Sequence, residues 1–175
     1  MTHSASRDHG SDTSANRSPD ILERLQGEWT FVREVPGKAT MTGRARIDST
    51  GKGRARYNET ARVRLADGST LTGSQSYVYR RLPAPANGFD VLFAETGELF
   101  ERLDFRSAPD GSLRADAAHD CPPDRYVSIF TLDAEDRLAV EHTVTGPQKN
   151  YVVRTVYRRV GKSPHRGHGE IRSQT

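Results

Sequence analysis

A strict two-residue alternation, repeated in segment after segment, constrains this chain more than any other feature. Met41, Gly43, Ala45 and Ile47 alternate with Thr42, Arg44, Arg46 and Asp48, while Ala55, Tyr57 and Glu59 oppose Arg54, Arg56 and Asn58. Successive side chains of a β-strand point to opposite faces, so this period specifies strands with one face turned inward. Further strands are expected at about 62–66, 70–82, 88–93, 98–106, 112–120, 124–132, 137–145 and 149–160. Turn signals separate them: Asp67-Gly68, Asn87-Gly88, Thr96-Gly97, Pro109-Asp110-Gly111, Pro122-Pro123 and Gly146-Pro147. With no helical pattern between strands, crossover units and a parallel sheet are disfavoured. A flat sheet of about ten antiparallel strands would leave exposed edges, which closure into a barrel removes. The expected fold is all-β: an antiparallel up-and-down β-barrel of about 8–10 strands. Ser18, Pro19 and the apolar side formed by Ile21, Leu22 and Leu25 predict a short N-terminal helix, which Gly27 stops.

Composition adds limits at both ends. Residues 1–18 contain no large apolar side chain beyond Met1 and are expected to form a disordered arm; residues 161–175 are expected to form a flexible tail. The barrel domain is then expected over residues 19–160, with His3, His9, His165 and His168 outside it. The net charge of +3 is mostly in the tail, since the middle of the chain is left with only +1. Cys121 is the single cysteine, so no internal disulfide can form and a cytoplasmic location is expected. The longest apolar run, Val91 to Ala94, is far too short for a membrane span. A homodimer stays open.

Leu25-Gln26-Gly27-Glu28-Trp29-Thr30-Phe31 resembles the Gly-x-Trp entry of lipocalin-like (calycin) barrels, in which a basic residue of the last strand packs over the Trp. The resemblance assigns that place to Arg154 or Arg158. A narrower likeness runs through Gly27-Glu28-Trp29-x-Phe31-x-Arg33, Tyr57-x-Glu59, Tyr77-x-Tyr79-Arg80, Leu92-Phe93-Ala94, His119-x-Cys121-x-x-Asp124-x-Tyr126 and Gly146-Pro147-x-Lys149-x-Tyr151. These pieces resemble an uncharacterised family catalogued as domain of unknown function 6314. What the resemblance implies is a small lipocalin-like domain, and it brings no activity with it.

Two groups of residues could carry chemistry. His119 and Cys121 share one strand face, and Asp124 and Tyr126 repeat that relation after Pro122-Pro123. A hairpin there would gather imidazole, thiol, carboxylate and phenol at one end of the sheet. The set could bind a polar ligand, hold a metal, act as a Cys-His pair, or simply hydrogen-bond across the hairpin; no fourth metal ligand is in view, so no metal is assigned. The second group is Tyr57 with Glu59, Tyr77 with Tyr79, Lys149 with Tyr151, and His142, which parity can place inside a barrel.

The leading expectation is a binding protein for a small organic molecule, held in a partly polar cavity with His119, Asp124, Tyr126, Tyr57, Glu59 and Lys149 as first contacts. One alternative is a small isomerase, cyclase or decarboxylase with Glu59 or His119 as base and Tyr57 or Tyr126 as acid. Another is haem binding through His142. Arg44, Arg46, Arg54, Arg56, Arg62 and Arg64 form a basic ladder that could meet a partner protein, but no aromatic side chains interleave with it as RNA stacking requires.

Overall fold

The structure, a computed structural model, describes residues 20–161. The expected arm at 1–18, nearly all of the expected tail and the four terminal histidines lie outside those residues. Eleven strands form one antiparallel sheet in the order β6-β5-β4-β3-β2-β1-β11-β10-β9-β8-β7, wrapped into a nearly closed barrel. The strands are β1 Gly27–Val35, β2 Ala39–Gly51, β3 Arg54–Leu65, β4 Thr70–Arg81, β5 Gly88–Phe93, β6 Leu99–Asp104, β7 Arg106–Ser107, β8 Leu113–Cys121, β9 Asp124–Leu132, β10 Arg137–Thr145 and β11 Asn150–Arg159. β1 pairs with β11, joining the two ends of the chain. β6 comes alongside β8 without a hydrogen-bonded ladder, and that seam is where closure is incomplete.

The segments expected separately at 54–59 and 62–66 are one strand. No turn residue interrupts Thr60-Ala61-Arg62, and Ala55, Tyr57, Glu59, Ala61 and Val63 are buried at every second position. The two-residue β7 is an addition to the expected set. At the N-terminus, α1 covers Ile21–Arg24 and is capped by Asp20, whose side chain accepts from the Leu22 and Glu23 amides. The cap therefore lies closer to the helix than Ser18.

α1 closes the barrel floor. Ile21, Leu22 and Leu25 are buried beside Trp29, whose indole N–H donates to the Leu25 carbonyl at 3.0 Å. The cation over the indole is Arg159, 4.3 Å from the ring, rather than Arg154 or Arg158. Register explains the correction: Arg159 sits opposite Trp29 and shares its inward parity, whereas Arg158 is opposite Thr30 and Arg154 opposite Glu34 on the outer face. Arg159 also donates to the carbonyls of Arg24 and Gln26, so one guanidinium joins the last strand, the indole and the end of α1. Above this floor, Gly43 leaves the room that the Phe31 ring occupies; a Cβ there would lie 2.3 Å from the Thr60 carbonyl oxygen and 2.6 Å from the ring.

Candidate functional site

Side chains from β1 to β6 and β9 to β11 line a cavity of about 200 Å³. Leu25 and Trp29 lie at its base, Tyr79, Phe89 and Phe130 along its sides, and Tyr77 and Phe100 beside it. Their rings are in mutual contact: Tyr79 stacks on Phe89 with centroids 4.6 Å apart, and Tyr77 on Phe100 at 5.8 Å. The hydroxyls of Tyr77 and Tyr79 have no hydrogen-bond partner among the described residues. Burial pushes the Tyr77 hydroxyl up to about 12, so it remains an O–H donor at neutral pH.

One wall carries a fixed ion pair. The Arg33 guanidinium donates to both Glu59 carboxylate oxygens at 2.7 Å, to Thr155 Oγ1 at 3.0 Å and to the Tyr157 hydroxyl at 3.2 Å. The Tyr57 hydroxyl donates to Glu59 as well and lies 3.0 Å from the Tyr157 hydroxyl. Burial works against the Arg33 charge, but Glu59 more than offsets it and holds the guanidinium well above its ordinary range. Burial also drives the Tyr57 and Tyr157 hydroxyls upward, so neither ionises. Both Glu59 oxygens are engaged by donors, a geometry that opposes its expected use as a general base and makes it a positioning group.

The opposite wall carries a row that the sequence reading missed. Ser128, fully buried on β9, hydrogen-bonds to the Glu101 carboxylate of β6, and its Oγ lies 2.6 Å from His142 Nδ1 on β10. Burial raises the Glu101 carboxyl above its usual range. Burial, reinforced by the Arg33 charge, lowers the His142 imidazole to about 4, so it is neutral at physiological pH. Glu101 shares parity with Leu99 and Leu103, and Ser128 with Tyr126 and Phe130, so the alternation that located Tyr57 also carried a signal for these two.

Of the residues expected at the site, Tyr57, Glu59, Tyr77, Tyr79 and His142 line the cavity; His119, Cys121, Asp124, Tyr126, Lys149 and Tyr151 do not. Those six lie toward the other end of the barrel. The Pro122-Pro123 turn does bring His119 opposite Tyr126 and Cys121 opposite Asp124. Asp124 pairs with Lys149 at 2.5 Å, Lys149 donates to the Tyr126 hydroxyl at 3.2 Å, and Tyr151 lies under the Lys38 ammonium at 4.5 Å. The Lys149 ammonium is held above its ordinary range by its bonds to Asp124 and Tyr126. Cys121 is exposed, and His119 adjoins the cavity only through Phe100, 5.3 Å between rings. Among the described residues, no three His, Cys, Asp or Glu side chains are placed to hold a metal.

The cavity does not fit a haem. A dry cavity of about 150 Å³ holds one benzene ring, so about 200 Å³ is too small for a porphyrin. On the outside, all six arginines of the basic ladder are exposed, and Arg46 is paired with Glu28 and Asp48. No helix among the described residues is long and apolar enough to cross a membrane.

Comparison with solved structures finds a similar fold in a protein of very different sequence. The S-type phycobiliprotein lyase CPES from Guillardia theta is similar with a TM-score of 0.50 at 9% identity, over 82% of this chain and 92% of that one. A redesigned β-barrel, mFAP1, solved bound to DFHBI, gives a TM-score of 0.39 at 13% identity, over 79% of this chain and 99% of that one. At 9% identity the likeness to the lyase speaks to fold alone. No curated protein matches the sequence. The sequence profile described as "Family of unknown function (DUF6314)" matches residues 25–159, which take in all eleven strands, and the chain belongs to that family.

Proposed function

We propose that the protein binds a small, flat aromatic molecule carrying polar substituents inside the barrel. The observation that carries this reading is a ring-walled cavity of about 200 Å³ lined by two polar clusters and by two tyrosines whose hydroxyls have no partner among the described residues. Drug-sized ligands occupy roughly 300–1,000 Å³, so this room suits a molecule of one or two rings. Apolar walls supply most of the binding energy and the few polar groups fix orientation. Inward polar side chains in a nearly closed barrel need partners, and a ligand supplies them for Tyr77 and Tyr79.

The test is calorimetric titration with 4-nitrophenol, comparing wild type with Val140→Phe, a change that fills the cavity from β10. Wild type takes up one equivalent saturably, and Val140→Phe, confirmed folded by circular dichroism, binds at least about tenfold more weakly. Absence of saturable uptake by wild type, or equal affinity in both proteins, overturns the reading.

A further inference from the structure

We propose that the Glu101–Ser128–His142 row accepts the proton of an acidic O–H or N–H ligand, such as a phenol or an enol, so that the cavity holds that ligand as its anion. The inference rests on the cavity reading above and names the chemical class that the cavity selects.

The geometry admits two proton arrangements. When Glu101 is ionised it can only accept, so Ser128 donates its hydroxyl proton to the carboxylate and must itself accept from His142. Nδ1 then carries the imidazole proton and Nε2 has a free lone pair. When Glu101 is protonated every bond reverses: Glu101 donates to Ser128, Ser128 donates to Nδ1, and Nε2 bears the hydrogen. The two arrangements differ by one proton in total. A ligand X–H at Nε2 converts the first into the second. Its proton goes to Nε2, the Nδ1 proton to Ser128 Oγ and the Ser128 proton to Glu101. The imidazole is neutral before and after, and the negative charge has moved from Glu101 to X.

Hydrogen bonding drives that movement. Ser128 is the sole hydrogen-bond donor to the Glu101 carboxylate among the described residues, a poor environment for a buried anion. An anion in the cavity meets the Nε2 hydrogen and the free hydroxyls of Tyr77 and Tyr79. The charged groups facing His142 are few. Glu101 lies on β6; of the Arg33–Glu59 pair on β1 and β3, the guanidinium opposes a charge on the imidazole and the carboxylate offsets it in part; Ser128 of β9, the Phe130 ring and β11 Val153 complete its surroundings. Among the described residues no other base is hydrogen-bonded to the row.

Two readouts test this. In the free protein at about pH 7, nitrogen-15 NMR of the histidines is expected to show His142 protonated at Nδ1 and bare at Nε2. Ser128→Ala is expected to shift it to the Nε2–H form that free histidine favours. In the second, 4-nitrophenol is mixed with the protein at about pH 6, where the free probe is mostly the colourless phenol. Wild type is expected to give the yellow phenolate band, and Glu101→Gln, which cannot take up the proton, to lower the bound phenolate fraction about tenfold. An Nε2–H tautomer in wild type, or the same phenolate fraction in Glu101→Gln, overturns the inference and leaves the cavity reading standing. Failure of wild type to bind the probe overturns both. If Glu101→Gln does not fold, Ser128→Ala interrupts the same row and is held to the same absorbance criterion.

Discussion

Replacing Glu59 by Gln leaves the Arg33 charge inside the barrel without its counter-ion. The side chains of this pair are 20% and 7% exposed, and among the described residues the guanidinium has no other carboxylate partner. Removing one member of a buried pair costs about 3–5 kcal/mol because the surviving charge is uncompensated. Partial exposure of Arg33 and the oxygen that Gln keeps place Glu59→Gln at the low end, about 3 kcal/mol. For a chain of this size each kcal/mol lowers Tm by about 2–4 °C, so the melt is expected to fall by about 6–12 °C. Arg33→Met combined with Glu59→Leu removes both charges and is expected to recover most of that loss, since apolar replacement of a buried pair is often neutral. Thermal and urea melts of wild type, Arg33→Met, Glu59→Leu and the double variant complete the cycle. A Glu59→Gln melt within about 2 °C of wild type, or a double variant as unstable as the summed singles, refutes a buried, mutually dependent pair.

His142 titrates at about 4 in the fold against 6.5 in an open chain, so between those values the unfolded state binds more protons and stability falls as pH falls. The full effect is about 3 kcal/mol; Glu101, raised by burial, contributes a slope of the opposite sign, so on lowering the pH through that range His142→Asn should lose less stability than wild type, or gain it, as read from urea midpoints. Gly43→Ala drives a Cβ into the Thr60 carbonyl and the Phe31 ring and is expected to cost about 2 kcal/mol or more, whereas a Cβ at Gly73 meets nothing within 4 Å and Gly73→Ala is expected to leave the melt unchanged. Arg159→Ala removes the cation over Trp29 and the donors to Arg24 and Gln26, so the emission of this sole tryptophan should shift to the red and the melt should fall; unchanged emission would refute the floor contact.

Parity explains what could and could not be read from the sequence. Alternation put Tyr57, Glu59, Tyr77, Tyr79 and His142 on the inner surface, and tight-turn dipeptides placed β5, β9 and β10 at their observed bounds. Parity states which face a side chain takes but not its height along the barrel, which strand tilt and shear set. Lys149 and Tyr151 therefore share a face with cavity residues and still lie beyond the cavity. Closure was equally invisible: Glu101 and Ser128 are 27 positions apart and meet only because β6 turns toward β8 and β9. Trp29 selects Arg159 over its neighbour Arg158 through a one-residue difference in register, which a basic last strand does not specify.

The proposed function depends on a ring-walled room that admits a small aromatic molecule. Crystals soaked with 4-bromophenol and measured at the bromine absorption edge locate the probe directly. The account predicts one anomalous peak inside the barrel, between Tyr77, Phe130 and His142. Bromine found only on the outer arginine face, with the interior collapsed around Tyr79 and Phe89, would contradict it.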